Sequence, residues 1–214
     1  MRRLPWITLI LAALAGLAHA SPAFAAAWEF RRYAVDTGQL WRLLTAHLTH
    51  FGANHLAWDL AALLVLGTLA EREGRRATVL ALALAAPLIS LGVWLAQPAL
   101  AVYRGLSGLD SALYGLVCAR LIATGLRERH AFTTALGALA LGGFIWKCAA
   151  ELVGGHTVFA TGADYAPVPL AHLLGLCAGL AAHALLNRPR AGDAGSRPPA
   201  WGWPCPWRPS SPGP

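Results

Sequence analysis

Long apolar runs restrict the fold of this 214-residue chain more than any other feature of its sequence. Each run is close to the ~20 residues with which an α-helix crosses the hydrocarbon core of a bilayer. Only 13% of the residues are charged, which is about half the share found in soluble domains. The sequence therefore predicts an all-α membrane protein. We expect six transmembrane helices, over residues 6–26, 54–70, 77–97, 107–124, 132–153 and 169–187.

The two ends of the chain differ from the apolar runs between them. An arginine pair at 2–3, followed by Ala-His-Ala at 18–20, is typical of a cleaved secretory signal. The apolar stretch continues to Ala27, however, and this length favours a retained helix. Residues 1–188 are thus predicted to form one membrane domain. Residues 189–214 are rich in Pro, Gly and Ser and are predicted to form a disordered cytoplasmic tail.

The arginines predict how the helices are oriented, because cytoplasmic loops carry an excess of Lys and Arg. With the N-terminus in the cytoplasm, twelve arginines lie in cytoplasmic segments and four lie on the opposite side. Both termini are therefore predicted to be cytoplasmic. The net charge of +7 is then explained by topology, so no nucleic-acid partner is expected.

A serine between two glycines opens the fourth apolar run, where Ser107 lies between Gly105 and Gly108. The glycines leave room around the hydroxyl and allow another backbone to approach. The Ser107 amide at the start of a helix has no intrahelical partner, which makes it a suitable donor to an oxyanion. The alternative is a packing face, because small residues recur every four positions from Ser107.

A histidine opens the last apolar run, in the segment Pro-Leu-Ala-His-Leu-Leu-Gly. A histidine inside a membrane helix is costly and usually functional. His172 shares a helix face with Gly175 and Gly179, so this helix can pack closely against a partner. Ser107 and His172 are predicted to lie at the same depth, which favours a Ser–His dyad. Metal binding, a proton relay or a hydrogen bond to a neighbour are the alternatives.

Two further pairs of polar residues lie four positions apart on predicted helices. His55 and Asp59 share the outer end of the second helix, where a histidine could donate to an oxyanion. A structural His–Asp pair after an Asn54 N-cap is the alternative. Lys147 and Glu151 are predicted to form a structural ion pair rather than a catalytic group. The four cysteines form no metal-binding pattern, and no metal or organic cofactor is expected.

Together these motifs resemble the rhomboid family. The resemblance extends from residue 41 to about residue 180, and its motifs occur in the family's order: Trp-Arg, His-Phe, Gly-Leu-Ser-Gly and Ala-His-x-x-Gly. It implies a bundle of six transmembrane helices and an intramembrane serine protease that needs no cofactor.

The resemblance also implies roles for individual residues. Ser107 matches the nucleophile and His172 the general base, with no third acidic residue. His55 and the Ser107 amide match the oxyanion hole, and residues 154–168 match a mobile cap over the site. The residues that match the structural core of the first loop are Trp41, Arg42 and His50.

Two positions depart from the family pattern. Rhomboids usually carry asparagine where this chain has Asp59, and an ionised aspartate would repel an oxyanion. Asp59 is therefore a candidate for the oxyanion hole only when protonated, and otherwise orients His55. Rhomboids also often carry a tyrosine four residues after the serine, stacked on the base. Here that position is Ser111, and Tyr114 lies on a different helix face.

The short six-helix form resembles the bacterial rhombosortase subfamily. That resemblance implies the bacterial inner membrane, and substrates held in the lipid bilayer by a C-terminal transmembrane segment that follows a Gly-Gly motif. One alternative is a non-catalytic rhomboid-like protein that binds membrane clients, for which Asp59 is the best argument. Another is a small proton-coupled transporter that uses His55, Asp59 and His172.

Overall fold

The computed structural model describes residues 4–155, 158 and 167–187, most of which are helical. The predicted tail at 189–214 and most of the predicted cap at 154–168 lie outside these residues. The helices are α1 (Trp6–Ala20), α2 (Pro22–Trp28), α3 (Arg32–Asp36), α4 (Arg42–Thr45), α5 (Ala53–Ala96), α6 (Ser107–Glu128), α7 (Ala131–Gly154) and α8 (Pro169–Leu186). The strands β1 (Phe30–Arg31) and β2 (Val102–Tyr103) form an antiparallel pair, and Ala46–Leu48 form a 3-10 helix.

Four of these helices, α5 to α8, are long and apolar enough to cross a membrane. Helices α1 and α2 make a fifth crossing if the bent pair counts as one span. The prediction of an all-α, multi-pass membrane protein is therefore confirmed. The structure differs from the predicted series of six separate helices at two places, which are the start of the chain and the middle of α5.

The second and third predicted helices are joined in α5, which runs for 44 residues. A straight helix of this length would measure about 66 Å, roughly twice the hydrocarbon thickness of a bilayer. Its non-helical residue is Gly74, with an extended backbone (φ 172°, ψ 104°). Asp59 from the first arm of α5 and Ile89 from the second arm both lie beside the start of α6. The chain must therefore turn back at Gly74, and the loop expected at 71–76 is a break one residue long.

The first predicted helix is broken. The prediction of one continuous helix over 6–26 is wrong, because α2 leaves α1 at an angle of 113°. A residue before proline is pushed out of the helical region, and Ser21 before Pro22 has φ −125° and ψ 108°. Helix α1 is nonetheless packed on α5, because the amide and hydroxyl of Thr8 both donate to the buried Glu71 carboxylate.

Helices α6 and α8 lie in backbone contact. A Cβ atom on Gly175 would overlap the carbonyl oxygen of Gly108, and one on Gly179 would overlap that of Ala112. Side chains do not fit between these two backbones, so glycine is required at both positions of α8. The contact brings the first turn of α8 against the first turn of α6.

The segment between α2 and α5 is held in place by arginines. Arg42 is buried and donates to two backbone carbonyls at 2.8 and 2.7 Å. Arg32 donates to carbonyls at the C-terminal end of α5, which lack intrahelical partners. The buried Glu29 pairs with both Arg31 and Arg104, and so ties β1 to the turn that precedes α6.

Candidate active site

Ser107 is the first residue of α6, and its hydroxyl oxygen lies 3.1 Å from Nε2 of His172. The two residues predicted to form a dyad are thus within hydrogen-bond distance. Gly105 precedes them with a φ of +127°, a conformation that residues with a side chain rarely adopt. A Cβ atom on Gly105 would also lie 2.9 Å from Nε2 of His55. Glycine is therefore required here to bring the chain onto α6.

His172 lies buried in the first turn of α8. Its ring meets Phe144 of α7 edge to face, with 6.4 Å between centroids, and Phe144 stacks on Tyr114 at 4.9 Å. Ser111, where the family often carries a tyrosine, donates its hydroxyl to the Ser107 carbonyl at 2.6 Å. The aromatic contact to the histidine thus comes from α7 rather than from α6.

Two charged side chains of α7 lie at the other ring nitrogen of His172. Its Nδ1 is within hydrogen-bond distance of Nζ of Lys147, at 3.1 Å, and within ion-pair distance of Oε2 of Glu151, at 3.4 Å. Lys147 and Glu151 pair with each other at 2.8 Å, as their spacing predicts. Their position against His172 was not predicted, because helix spacing reports neighbours on one helix and this contact joins two helices.

The Asp59 carboxylate is the centre of a second buried cluster. Its Oδ2 accepts hydrogen bonds from the backbone amides of Leu106 and Ser107, at 2.9 and 3.2 Å. The same oxygen is 3.1 Å from Nε2 of His50 and 3.3 Å from Nε2 of His55. Both groups predicted to bind an oxyanion therefore face Asp59, because a carboxylate attracts N–H donors as an oxyanion would.

The polar rings around this cluster are buried outside the long helices. Burial lowers the pKa of His50, and its hydrogen bond to Asp59 raises that pKa in part. Burial lowers the pKa of His47 to about 4, and its Nε2 lies 3.0 Å from the carbonyl of Ala86. Burial also raises the pKa of Tyr103. Both histidines are therefore neutral at pH 7 and act as hydrogen-bonding supports.

Within the described part of the chain, no three His, Cys, Asp or Glu side chains are grouped to hold a metal ion.

A cavity of about 570 Å³ opens beside Ser107 and His172. Its walls come from the first arm of α5, including Trp58 and Val65, and from α6, α7 and the start of α8. Asp110 also lines it, buried, with both carboxyl oxygens lacking hydrogen-bond partners among the described residues. The cavity gives the serine hydroxyl access to a ligand within the apolar part of the protein.

The three first-loop residues differ in their surroundings. Arg42 and His50 are buried, whereas Trp41 is 52% exposed. The indole N–H of Trp41 donates to the carbonyl of Ala27 at 3.2 Å, and this bond ties its α4 turn to α2. Trp41 was expected in the structural core of the first loop, but it lies at the surface instead. This position suits the membrane interface.

Phe144 and Asp110 were not expected at the site from the sequence. Asp110 did carry a signal, because an acidic residue three positions after Ser107 shares its helix face inside an apolar run. Phe144 carried none, since aromatic residues are common in membrane helices and this one reaches the site from another helix. Charged residues are costly in a membrane helix, so the sequence did mark Lys147 and Glu151 as unusual. It did not show that they contact His172.

Comparison with known protein families adds to this geometry. A family model described as Rhomboid domain matches residues 37–189, which is more than half of the chain. The matched region contains α5 to α8, and with them Ser107, His172, His55 and Asp59. No curated protein matches the chain.

Proposed function

The chain belongs to the rhomboid family, whose members are intramembrane serine proteases, and from this premise we propose that it is an intramembrane serine endopeptidase. Ser107 is the nucleophile and His172 is the general base. The observation that carries the proposal is the 3.1 Å distance between Ser107 Oγ and His172 Nε2. A serine hydroxyl needs such a neighbouring base to react at neutral pH, and the adjoining cavity is of a size that holds ligands.

The reaction proceeds in two halves. His172 Nε2 takes the proton of Ser107 as Oγ bonds to the scissile carbonyl carbon, whose oxygen becomes an oxyanion. The C–N bond then breaks, and His172 gives the proton to the leaving amine. In the second half water gives a proton to His172 and its oxygen bonds to the acyl carbon. Ser107 then leaves and recovers its proton from His172.

The Ser107 amide and His55 are the proposed oxyanion donors. Both face the Asp59 carboxylate in this conformation. A substrate oxyanion can use these donors only after Asp59 has released them, through protonation or through displacement. Ionised Asp59 therefore competes with the transition state, and we expect it to lower the intrinsic reactivity of the site.

The proposed substrates are proteins held in the bilayer by a C-terminal transmembrane segment. The cavity lies between the first arm of α5 and α7, and the apolar side chains of Trp58 and Val65 line it, which suits entry of a helix from the lipid. Non-helical backbone at membrane depth is tolerated where protein encloses it, so this cavity could receive an unwound substrate segment. By resemblance to rhombosortases, we propose that cleavage occurs near a Gly-Gly motif before the anchor.

The proposed topology has six crossings and cytoplasmic termini, in the inner membrane of a bacterium. The crossings are α1 with α2, the two arms of α5, and α6, α7 and α8. Arg72, Arg75 and Arg76 flank the turn at Gly74, which lies at the opposite end of the first arm of α5 from the site. By the positive-inside rule we therefore expect Ser107 to lie towards the outer face.

Labelling with a fluorophosphonate probe tests the proposed activity. The detergent-purified wild type should label, whereas Ser107→Ala and His172→Ala should lose labelling, because one lacks the nucleophile and the other the base. Far-UV circular dichroism would establish that the variants are folded. A folded wild type that does not label between about pH 5 and 9 would refute the proposal.

A non-catalytic, client-binding protein is the second candidate, and one observation favours it. The Asp59 carboxylate accepts the hydrogen bond of the Ser107 amide, which is a proposed oxyanion donor. This function predicts that neither the folded wild type nor a folded Asp59→Asn variant labels, and that both bind a membrane-anchored peptide equally well.

A further inference from the structure

The ring of His172 has charged neighbours on the side that faces away from Ser107. Lys147 Nζ lies 3.1 Å from Nδ1 and Glu151 Oε2 lies 3.4 Å from it, whereas Nε2 faces Ser107. The other described contact to the ring is the edge of Phe144, which carries no charge. Lys147 and Glu151 are therefore the described groups that can decide where the ring carries its proton.

The two charged neighbours favour opposite tautomers of His172. A neutral imidazole has one N–H and one acceptor nitrogen. When the Lys147 ammonium donates to Nδ1, the ring proton must sit on Nε2, and the ring cannot accept the proton of Ser107. When the Glu151 carboxylate accepts from Nδ1–H, Nε2 is free to act as a base. The tautomer that Glu151 favours is thus the one compatible with attack by Ser107.

Their charges also act in opposite directions during the reaction. The ring becomes an imidazolium as it takes the proton of Ser107, and a carboxylate at Nδ1 stabilises that cation. An ammonium at the same place destabilises it. Because Lys147 lies 2.8 Å from Glu151, the pair has no net charge, and Glu151 offsets the repulsion from Lys147.

The Glu151 carboxylate is anchored through one oxygen and faces His172 with the other. It is 2% exposed, and its Oε1 accepts from the backbone amide of Val158 at 3.2 Å. Its Oε2 makes no hydrogen bond among the described residues, but lies within ion-pair distance of Lys147 and His172. A plain structural ion pair would need no contact with the histidine at all.

We propose that Glu151 is a positioning residue that completes a Ser–His–Glu arrangement, in which it keeps the proton of His172 on Nδ1. Lys147 holds the Glu151 carboxylate in its ionised form and takes no part in proton transfer. This inference rests on the proposed protease function, and it adds an acid to a site for which the sequence predicted a dyad alone.

Four variants separate this arrangement from a structural ion pair: Glu151→Gln, Glu151→Asp, Lys147→Met and the double variant Lys147→Met/Glu151→Gln. The measured quantity is the second-order rate constant of fluorophosphonate labelling, with the melting temperature recorded beside it. We expect Glu151→Gln to slow labelling by about 10²-fold or more. Glu151→Asp should recover part of the rate, since it keeps an acid near Nδ1. Lys147→Met should slow labelling less than Glu151→Gln does, because it removes the ion-pair partner but keeps the acid.

The double variant carries the decisive comparison. It lacks Lys147, as Lys147→Met does, and differs from that variant only in having no acid at Nδ1. We therefore expect the double variant to label at least about tenfold more slowly than Lys147→Met. If the pair were structural, removing both charges would be better tolerated than leaving Glu151 unpaired, and the double variant would label as fast as Lys147→Met or faster. That result, or a Glu151→Gln rate within about threefold of wild type, would overturn the proposal. If Lys147→Met does not fold, the tautomer of His172 decides.

Side-chain ¹⁵N NMR reads the tautomer directly and does not depend on activity. The His172 ring signals, identified by their absence in His172→Ala, should show Nδ1 protonated in the wild type and Nε2 protonated in Glu151→Gln. An Nε2–H tautomer in the wild type would refute the role of Glu151. If the wild type does not label, the protease proposal fails, while the NMR result still decides the position of the proton.

Discussion

Asp59→Asn should make this protein react faster. The substitution keeps the shape of the side chain and removes its charge. In the wild type, one oxygen of Asp59 accepts hydrogen bonds from the backbone amides of Leu106 and Ser107, at 2.9 and 3.2 Å. A neutral acceptor holds these amides less tightly, and the asparagine NH₂ group can itself donate to an oxyanion.

The size of the effect follows from the strength of the hydrogen bond that is weakened. A hydrogen bond to a charged group contributes about 1.5–3 kcal/mol, and one between neutral groups about 0.5–1.5 kcal/mol. Weakening the bond between the Ser107 amide and Asp59 should lower the barrier by about 1–1.5 kcal/mol, or about tenfold in rate. If the new NH₂ group reaches the oxyanion, the gain rises towards about 10²-fold. Weaker contacts with His50 and His55 should lower the melting temperature by a few degrees.

The assay is the fluorophosphonate labelling rate of wild type, Asp59→Asn and the matched control Asp110→Asn. Asp110 is a second buried aspartate that lines the same cavity, but its carboxyl oxygens make no hydrogen bond to the Ser107 amide in the described structure. We expect Asp59→Asn to accelerate labelling and Asp110→Asn to leave it unchanged. A folded Asp59→Asn that labels no faster than wild type would refute competition for the donors. Equal acceleration by both variants would show instead that any negative charge in the cavity inhibits.

Two further predictions concern stability. Gly175→Ala should unfold at a clearly lower temperature than wild type and lose labelling, because its Cβ would overlap the carbonyl of Gly108, whereas Gly142→Ala, with open space around it, should behave as wild type in both assays. His47 is buried neutral with a pKa lowered from 6.5 to about 4, so acidification between these values protonates the unfolded chain first and should cost about 3 kcal/mol of stability. Urea unfolding of wild type and His47→Gln at pH 7 and pH 4.5 checks this, since a wild type with the same pH dependence as the variant would contradict it.

The candidate site residues could be found in the sequence because polar side chains stand out in apolar runs. His172 and His55 stand out in apolar runs where a polar ring is costly, and the glycines around Ser107 mark a close backbone approach. Spacing on one helix could not reveal what these residues touch. The contact between Asp59 and the Ser107 amide joins residues 48 positions apart, and depends on how α5 turns back at Gly74.

The errors in the helix boundaries have local causes that hydropathy averages out. Pro22 pushes Ser21 out of the helical conformation and so interrupts the first apolar run. Neither residue is charged, however, so the mean hydropathy of the run stays high. The composition of the charged stretch around Gly74 predicts a loop. Its residues are good helix formers, however, so only the glycine leaves the helical conformation.

The ring of His172 contacts three residues of α7, and in the proposed function this links the base to substrate entry. Phe144, Lys147 and Glu151 lie three and four residues apart, so they share one face of α7, and all three contact the histidine. Ser111 is too small to contact the His172 ring as a tyrosine at this position of α6 would. Phe144 of α7 makes that ring contact instead. The same three residues of α7 line the cavity opposite α5. A substrate helix that enters between α5 and α7 by moving α7 outwards must therefore draw Glu151 away from Nδ1. We expect the base to be competent only after α7 has closed again on the bound chain, so that Ser107 is activated when its cavity is filled rather than when it is open to lipid.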